Sequence, residues 1–494
     1  MTSPSKNIFW LTLSRAFALI LLAVAYVFLF RYLGTYGAGQ YQFVLSYVTI
    51  FGIVIDFGVQ QYIIKKMSEE PEHQKRYFHN FIAIEAVLAI IVYSALTLIS
   101  YLNHYDPVVY HAILISGLGM VSIGLTYPFL AVMSANHDLR KVAFINFMNS
   151  LINVIFIFSA VIFEKYIVFL VTSQVVFGIT SLILYYQFVK KHLQKPAVLS
   201  AFTNIDWKLI KTVLRAAAPF ALLVGFSTIY NRIDTVLIYR ILGPDQTGLY
   251  SSAYKFFDLI GFFPSVVSFS LYPIFAGLMV RNEMTQVRET IEKYFRFLIA
   301  LALPIGVGGS LLALPIIIVL AGEQFISAAP VLAILVWAPA ILISYIVANS
   351  LVISQLTRFA VIITSINMVI NVAGNIVLLP ILGIKAAAIM TVISEAIQAL
   401  LYIYFVKTKI ADFAVARFLW KPVIASAVMG VVIWFGRAYI QNVFIFDWPA
   451  VALSALNLIV LMVVGAVVYG GVLAILKFFK ADDMVFVKSL VKRA

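Results

Sequence analysis

Eight ionisable side chains lie inside long apolar stretches of this sequence, where a charge needs a physical reason. A charge at the centre of a bilayer costs about 2.5–3.5 kcal/mol on insertion scales, so each group should face protein or a water-filled cavity. A neutralised pair is structural, whereas an unpaired cation can bind an anionic substrate and a buried carboxylate can couple to an ion gradient. The eight residues are Arg15, Asp56, Glu85, Arg232, Asp234, Lys255, Asp258 and Glu395.

Spacing separates one pair from the single charges. Lys255 and Asp258 stand at i and i+3, which favours a structural ion pair on one helix face. Arg232 and Asp234 stand at i and i+2 and point apart, so each needs a partner elsewhere. Two interpretations of Arg15 and Arg232 stay open: contact with substrate, or pairing with another part of the protein.

Two stripes of asparagine form a second polar pattern. Residues three and four apart share one face of a helix, so each group of three asparagines is expected on one side. One interpretation is hydrogen bonding between helices, worth about 0.6 kcal/mol per bond in membranes. The other is a cavity wall that binds sugar hydroxyls. The stripes are Asn146, Asn149 and Asn153, and Asn367, Asn371 and Asn375.

Catalytic and metal-binding motifs are absent from the sequence. It contains no H-E-x-x-H, no G-x-S-x-G, no P-loop and no cysteine, and its six histidines lack metal-ligand spacing. We therefore expect a protein that is not an enzyme, with no catalytic residue, no metal and no cofactor.

Composition identifies the elements that must hold these residues. The 494-residue chain is 63% hydrophobic and 11% charged, with a mean hydropathy of +1.02, against about 45–50% apolar and 25% charged for soluble domains. Its apolar blocks are too long for β-barrel strands, so we predict an all-α polytopic membrane protein with 14 transmembrane helices. The predicted spans are 8–30, 41–64, 80–102, 109–133, 142–163, 166–189, 214–239, 250–279, 295–320, 327–353, 360–380, 384–406, 422–440 and 450–476.

The distribution of basic residues predicts the orientation. With the N-terminus inside, 28 of the 35 Lys and Arg fall on the inner side and five on the outer side. This bias places both termini in the cytoplasm of a multi-pass protein of the cell (inner) membrane. It also explains the net charge of +14 without a nucleic-acid partner.

An internal repeat divides the chain. Arg31-Tyr-Leu-Gly34 and Arg240-Ile-Leu-Gly243 begin two copies of R-x-L-G-x4-G-x-Y at an offset of 209 residues, and N-x-x-I-N-V recurs at an offset of 218. Two matches in the same order indicate a parallel repeat of six helices. We predict an N-terminal lobe over 1–195, a C-terminal lobe over 196–412, and two accessory helices with a cytoplasmic tail over 413–494.

These patterns resemble the multidrug/oligosaccharidyl-lipid/polysaccharide exporter superfamily, most closely its polysaccharide transporter (Wzx-type flippase) branch. The resemblance covers nearly the whole chain in order, although Lys385 stands where the family usually has glycine. The motifs that carry it are Asp56-Phe-Gly58, Ala218-Pro219, Tyr230-Asn-Arg232-Ile-Asp234, Leu242-Gly243, Gly248-Leu-Tyr250, Ala253-Tyr-Lys255, and Asn367…Asn371…Pro380…Leu382-Gly383.

The resemblance implies a flippase that moves a polyprenyl-diphosphate-linked oligosaccharide from the cytoplasmic to the outer leaflet by alternating access, for cell-surface polysaccharide biosynthesis. It also implies a monomer whose partners are the bilayer and, as a possibility left open, a polysaccharide polymerase or glycosyltransferases. Candidate substrate contacts are Arg15, Arg31, Arg232, Asp234, Lys255, Asn149, Asn153, Asn367 and Asn371, and candidate ion-coupling residues are Asp56, Glu85, Asp258 and Glu395.

Two other functional classes stay open. A cation-coupled multidrug/toxin extruder of the same superfamily would use Asp56, Glu85 or Asp234 as an ion site, but such proteins usually have twelve helices. A membrane glycan polymerase or glycosyltransferase generally displays a sizeable outer loop or an acidic motif, and this sequence shows neither.

Overall fold

The described chain is built of helices. The computed structural model describes residues 4–193, 205–414, 416–443 and 450–479, and no strand occurs within these ranges. Short 3₁₀ turns join some of the helices. In order, the helices are α1 (Pro4–Asp56), α2 (Val59–Glu69), α3 (Gln74–Leu102), α4 (Pro107–Gly124), α5 (Tyr127–Ala135), α6 (Leu139–Ile162), α7 (Ile167–Val189), α8 (Trp207–Leu242), α9 (Pro244–Val280), α10 (Met284–Leu311), α11 (Ala313–Ala321), α12 (Ala329–Leu335), α13 (Trp337–Gln355), α14 (Thr357–Leu382), α15 (Ile384–Lys409), α16 (Trp420–Val443) and α17 (Ala450–Ile475).

Twelve helical stretches of the described residues are long and apolar enough to cross a membrane. The first of them, Leu21–Glu69, is interrupted at Gly34, whose φ of 64° and ψ of −174° are not helical. It therefore contains the second half of the predicted span 8–30 and the whole of the predicted span 41–64. The all-helical, multi-span architecture is confirmed, while the total of 14 spans and the side of each terminus stay predictions.

Backbone contacts divide the chain into two units. Unit 1 comprises Met1–Gly248 and unit 2 comprises Leu249–Ala494. Helix α8, which the repeat assigns to the second lobe, packs on α1 and α2 within unit 1. The lobes at 1–195 and 196–412 therefore remain a prediction from the repeat, and contacts in this conformation place the division elsewhere.

The described residues of unit 1 include two separate apolar cores, and several helices contribute to both. The first core is formed mainly by α1, α4 and the facing ends of α3, α6 and α7, and it includes the fully buried Phe43 and Ile113. The second is formed by α2, α5 and the opposite ends of α3, α6, α7 and α8, and it includes the fully buried Phe81 and Val132. The middle turns of these helices lie between the two cores.

The matched glycines of the internal repeat contact one another's turns. A Cβ on Gly39 would lie 1.8 Å from the carbonyl oxygen of Pro244, and a Cβ on Gly248 would lie 1.9 Å from that of Thr35. Thr35 also donates a 2.5 Å hydrogen bond from Oγ1 to Oδ1 of Asp245. Thr35 and Pro244 are themselves equivalent at the offset of 209, so the contact is pseudo-symmetric and requires glycine on both sides.

Candidate functional site

A polar cavity of about 600 Å³ opens between the two cores of unit 1. Its walls come from α1, α4, α5, α6, α7 and α8, and of these α6 and α7 contribute one end to the first core and the other end to the second. A polar cavity among apolar helices provides hydrogen-bonding groups that lipid cannot offer. The polar residues that line it are Thr49, Asp56, Tyr127, Asn146, Asn149, Ser150, Asn153, Ser173, Gln174 and Thr228.

The α6 asparagines form one wall of this cavity. Asn146, Asn149 and Asn153 recur every three or four residues and therefore share a face of α6. Ser181 of α7 donates a 3.1 Å hydrogen bond to Oδ1 of Asn149, which fixes that amide against the neighbouring helix. Oδ1 of Asn153 is buried and has no hydrogen-bond partner among the described residues, so it is free to accept one.

Asp56 lies in the cavity at a break in the backbone. Helix α1 ends at Asp56, and the next two residues, Phe57 and Gly58, have left-handed φ values of 41° and 66° before α2 begins. Oδ1 of Asp56 accepts a 3.1 Å hydrogen bond from the backbone N–H of Gln60. The break thus places a carboxylate at the N-terminus of α2, where backbone donors stabilise negative charge.

Glu85 lies on α3 and is 0% exposed. Neither of its carboxyl oxygens has a hydrogen-bond partner within the described ranges. The α3 residues before it, up to Ile82, belong to the second core, and those after it, from Ala89, belong to the first. Glu85 is therefore at the same level as the cavity, and no ion pair of the described chain includes it.

The basic residues that the sequence predicts as substrate contacts lie in different parts of the fold. Arg15 lies on α1, but its side chain is outside the described part of the chain. Arg31 is exposed near the Gly34 break, and Arg232 is partly buried on α8. Asp234 is buried on the same helix, at 3% exposure.

Unit 2 holds the remaining predicted site residues. Lys255 and Asp258 form the ion pair expected from their spacing, with Nζ 3.4 Å from Oδ2. The amides of Asn367 and Asn371 are 1% and 0% exposed on α14, so in this conformation they are enclosed within the unit. Glu395 is also buried and accepts a 2.8 Å hydrogen bond from the hydroxyl of Tyr345.

Several cavity residues were not among the sequence candidates. Ser173 and Gln174 are adjacent polar residues in the middle of the apolar helix α7, and Gln174 accepts a 2.7 Å hydrogen bond from Ser116 of α4. A polar residue at membrane depth is the signal in the sequence that marks Ser173 and Gln174, as it marks the asparagines of α6. Thr49 and Thr228 carry a weaker signal, because threonine commonly bonds to its own helix backbone in apolar segments.

The sequence matches a known protein family over part of its length. A family model described as polysaccharide biosynthesis protein matches residues 5–279, which is more than half of the chain. The probable low-salt glycan biosynthesis flippase Agl15 of Haloferax volcanii is 22% identical over 249 residues. That match covers 50% of this chain and 51% of Agl15, so it spans about half the length of the relative.

Solved structures share the fold. A structure of the lipid II flippase MurJ in an inward closed conformation has a TM-score of 0.74 at 16% identity and covers 97% of this chain and 99% of that one. A mutant of the Vibrio cholerae MATE transporter VcmN gives 0.56 at 15% identity, covering 82% and 97%. A MOP superfamily transporter from Pyrococcus furiosus gives 0.57 at 14%, covering 83% and 96%. At these identities the likeness shows a shared fold.

Proposed function

Because the chain belongs to the polysaccharide biosynthesis protein family, we propose that it is a flippase that moves a lipid-linked glycan across a membrane. More specifically, the protein would move a polyprenyl-diphosphate-linked oligosaccharide from the cytoplasmic to the outer leaflet by alternating access. This step would serve cell-surface polysaccharide biosynthesis. The proposal of a flippase is supported by the similarity to Agl15 and MurJ, both of which are named as flippases.

The polar cavity of unit 1 is the observation that carries the proposal. A glycan exposes many hydroxyl groups, and each must exchange its hydrogen bonds with water for hydrogen bonds with protein or water inside the membrane. Amides both donate and accept, so the wall of Asn146, Asn149 and Asn153 is suited to hydroxyls. The unpartnered Oδ1 of Asn153 is the acceptor that we assign to a sugar hydroxyl.

The diphosphate of the substrate needs cations. A guanidinium binds phosphate oxygens through a planar fork of donors, which favours arginine for this contact. Because these residues are dispersed, we assign Arg15, Arg31 and Arg232 to successive contacts with the head group along its path, with Asp234 as a further candidate contact on α8. Lys255 stays a weaker candidate because its ammonium group already pairs with Asp258.

The proposal extends to the setting of the protein. In this proposal the protein is a monomer of the cell (inner) membrane without catalytic activity. It has 14 transmembrane helices, and both termini lie in the cytoplasm. Glycosyltransferases would supply the substrate, and a polysaccharide polymerase would consume it. Asn367 and Asn371, enclosed in this conformation, would reach the glycan after unit 2 opens.

Replacement of Asn153 tests the role of the cavity. Asn153→Leu keeps the side-chain volume similar but removes the amide, so binding of a lipid-linked oligosaccharide should weaken by roughly tenfold, as expected for the loss of one or two hydrogen bonds at about 1 kcal/mol each. Native mass spectrometry of the purified protein with a synthetic polyprenyl-diphosphate oligosaccharide measures this affinity. Gln355→Leu, which removes an exposed amide, is the matched control and should bind as wild type does.

Two results would contradict the proposal. Equal affinity of the wild type and Asn153→Leu would remove this cavity from the glycan site. Efflux of a cationic dye by the protein in vesicles, with no binding of lipid-linked glycans of several structures, would favour the extruder function instead.

A further inference from the structure

The described lining of the unit 1 cavity has an uneven distribution of charge. Asp56 contributes a carboxyl group, and the other polar side chains that line the cavity are amides and hydroxyls. No lysine, arginine or histidine is among the described lining residues. Arg31 and Arg232, two of the arginines that we assign to the diphosphate, lie outside this lining. The cavity is therefore suited to a different part of the substrate from the one that carries phosphate.

Asp56 faces the cavity without a counter-ion from the described chain. Its Oδ1 accepts the backbone N–H of Gln60, and no ion pair of the described residues includes it. Helix α1 ends at Asp56 and α2 begins at Val59, so the carboxyl group is held at the break between two helices. The side chain is partly exposed and lines the cavity. A ligand in the cavity therefore meets this carboxyl group directly.

The amides and hydroxyls of the wall distinguish poorly between sugars. Both kinds of group donate and accept hydrogen bonds, so they can bind the hydroxyl groups of almost any glycan. A carboxylate on a sugar is different, because its burial requires a cation or several donors in place of water. In this cavity it would meet the carboxyl group of Asp56, and like charges placed together in a binding site are strongly unfavourable. Charge is thus the property of a glycan that the cavity can discriminate.

We propose that Asp56 makes the unit 1 cavity selective for glycan segments without acidic groups, an inference that rests on the proposed function. Neutral sugars enter the cavity through hydrogen bonds to its amides and hydroxyls. Sugars with a free amino group also enter, because an ammonium group can pair with the carboxylate of Asp56. Uronic acids are rejected, since the described lining offers them a carboxyl group where they need a cation.

Three synthetic lipid-linked disaccharides that differ in charge test the selectivity. Each carries two hexose units in the same linkage on the same polyprenyl diphosphate, and the hexose is glucose, glucosamine or glucuronic acid. Native mass spectrometry of the purified full-length protein measures the three affinities. We expect the glucuronic acid probe to bind roughly tenfold to a hundredfold more weakly than the glucose probe, and the glucosamine probe to bind at least as tightly as the glucose probe.

Replacement of Asp56 tests whether it is the source of the selectivity. Asp56→Asn keeps the shape of the side chain and an oxygen for the N–H of Gln60, but it removes the carboxylate. The ratio of the glucose-probe affinity to the glucuronic-acid-probe affinity should fall by about tenfold. Because this ratio is taken within one variant, a general loss of binding does not change it.

A cation added to the wall should have the same effect as removal of the carboxylate. Thr49 lines the cavity seven residues before Asp56, on the same face of α1. Thr49→Lys should therefore also lower the ratio of the two affinities. Thr49→Met, which introduces a long side chain without a charge, is the matched control and should keep the wild-type ratio.

Three results would overturn the proposal. Equal affinities of the wild type for the glucose and glucuronic acid probes would show that the cavity does not select by charge. Tighter binding of the glucuronic acid probe would show that a cation reaches the glycan. A wild-type ratio in Asp56→Asn would show that another group is responsible. Absence of binding by all three probes would instead contradict the flippase proposal, and this inference with it.

Discussion

Arg232 combines partial burial with an unengaged guanidinium. It lies on α8, and among the described residues no hydrogen bond or ion pair involves its side chain. A cation in that condition inside an apolar helix is costly unless a ligand or water compensates it. It is therefore the best single candidate for the diphosphate contact.

Substitution of Arg232 should affect transport and leave the fold unchanged. A charge-assisted hydrogen bond is worth about 1.5–3 kcal/mol, so Arg232→Ala should reduce flipping in proteoliposomes by roughly tenfold to a hundredfold. Arg232→Lys should recover part of the loss, because it restores the charge but not the planar fork. Arg288→Ala, which removes an exposed guanidinium that pairs with Glu292, serves as the control. Wild-type flipping by a well-expressed Arg232→Ala variant would remove this residue from the site.

Acid should abolish one contribution of Asp138 to stability. Partial burial acts to raise the pKa of Asp138, but hydrogen bonds from Lys141 and His192 outweigh it. Together these effects lower the pKa of Asp138 below its ordinary value of 3.8. The carboxylate accepts Lys141 Nζ at 2.6 Å and His192 Nε2 at 2.9 Å, which ties the start of α6 to the end of α7. Because the folded pKa is depressed, this stabilisation is present above the ordinary pKa and is lost as the pH falls through the folded value.

The melting temperature of Asp138→Asn across a pH series measures that contribution. At about pH 6 the melting temperature of the wild type should be higher than that of Asp138→Asn. The two melting temperatures should converge only when the pH falls below the folded pKa of Asp138, which is itself below the ordinary value of 3.8. A difference that stays constant over the whole series would show that ionisation of Asp138 contributes nothing.

The two asparagine stripes show how far single residues could be predicted. Both contain N-x-x-I-N-V, and sequence reasoning left the same two interpretations open for each. On α6 the stripe lines a cavity, whereas on α14 Asn367 and Asn371 are enclosed. The difference is set by the neighbouring helices, which the motif does not encode. The roles assigned to these asparagines in substrate binding stay predictions.

At the scale of elements, the two repeat motifs are turns that pack against each other. Gly39 and Gly248 each approach a backbone carbonyl oxygen of the other turn too closely for any side chain. The sequence identified the repeat and its offset of 209 residues. It could not identify the contact, because a repeat specifies equivalent positions and not their distance in space.

Alanine at either glycine should disrupt this contact. Overpacking costs about 1–3 kcal/mol, so Gly39→Ala and Gly248→Ala should each lower the melting temperature and impair transport. The pseudo-symmetry predicts effects of similar size. Gly471→Ala is the matched control, because a Cβ there meets nothing within 4 Å and alanine favours a helix. Melting temperatures in detergent compare the variants, and two glycine variants as stable as the control would contradict the close contact.

At the scale of the whole molecule, lipid chemistry made the architecture predictable. A chain that is 63% hydrophobic with long apolar blocks can satisfy its backbone in a bilayer only as helices, and the described chain is helical. The resemblance to the polysaccharide branch of the superfamily is confirmed by the match over residues 5–279 and by the shared fold. The division after Gly248 was not predicted, because it depends on the packing of α8 against α1 and α2.

The most direct test of the central claim is translocation of a fluorescent polyprenyl-diphosphate oligosaccharide in proteoliposomes containing the purified protein. A membrane-impermeant quencher reports how much of the head group faces outward, and vesicles without protein provide the baseline. We expect protein-dependent movement of the head group between leaflets, and we expect Arg232→Ala to reduce it. Accumulation at the rate of empty vesicles, with a membrane potential and a pH gradient each imposed and glycans of several structures tried, would contradict it.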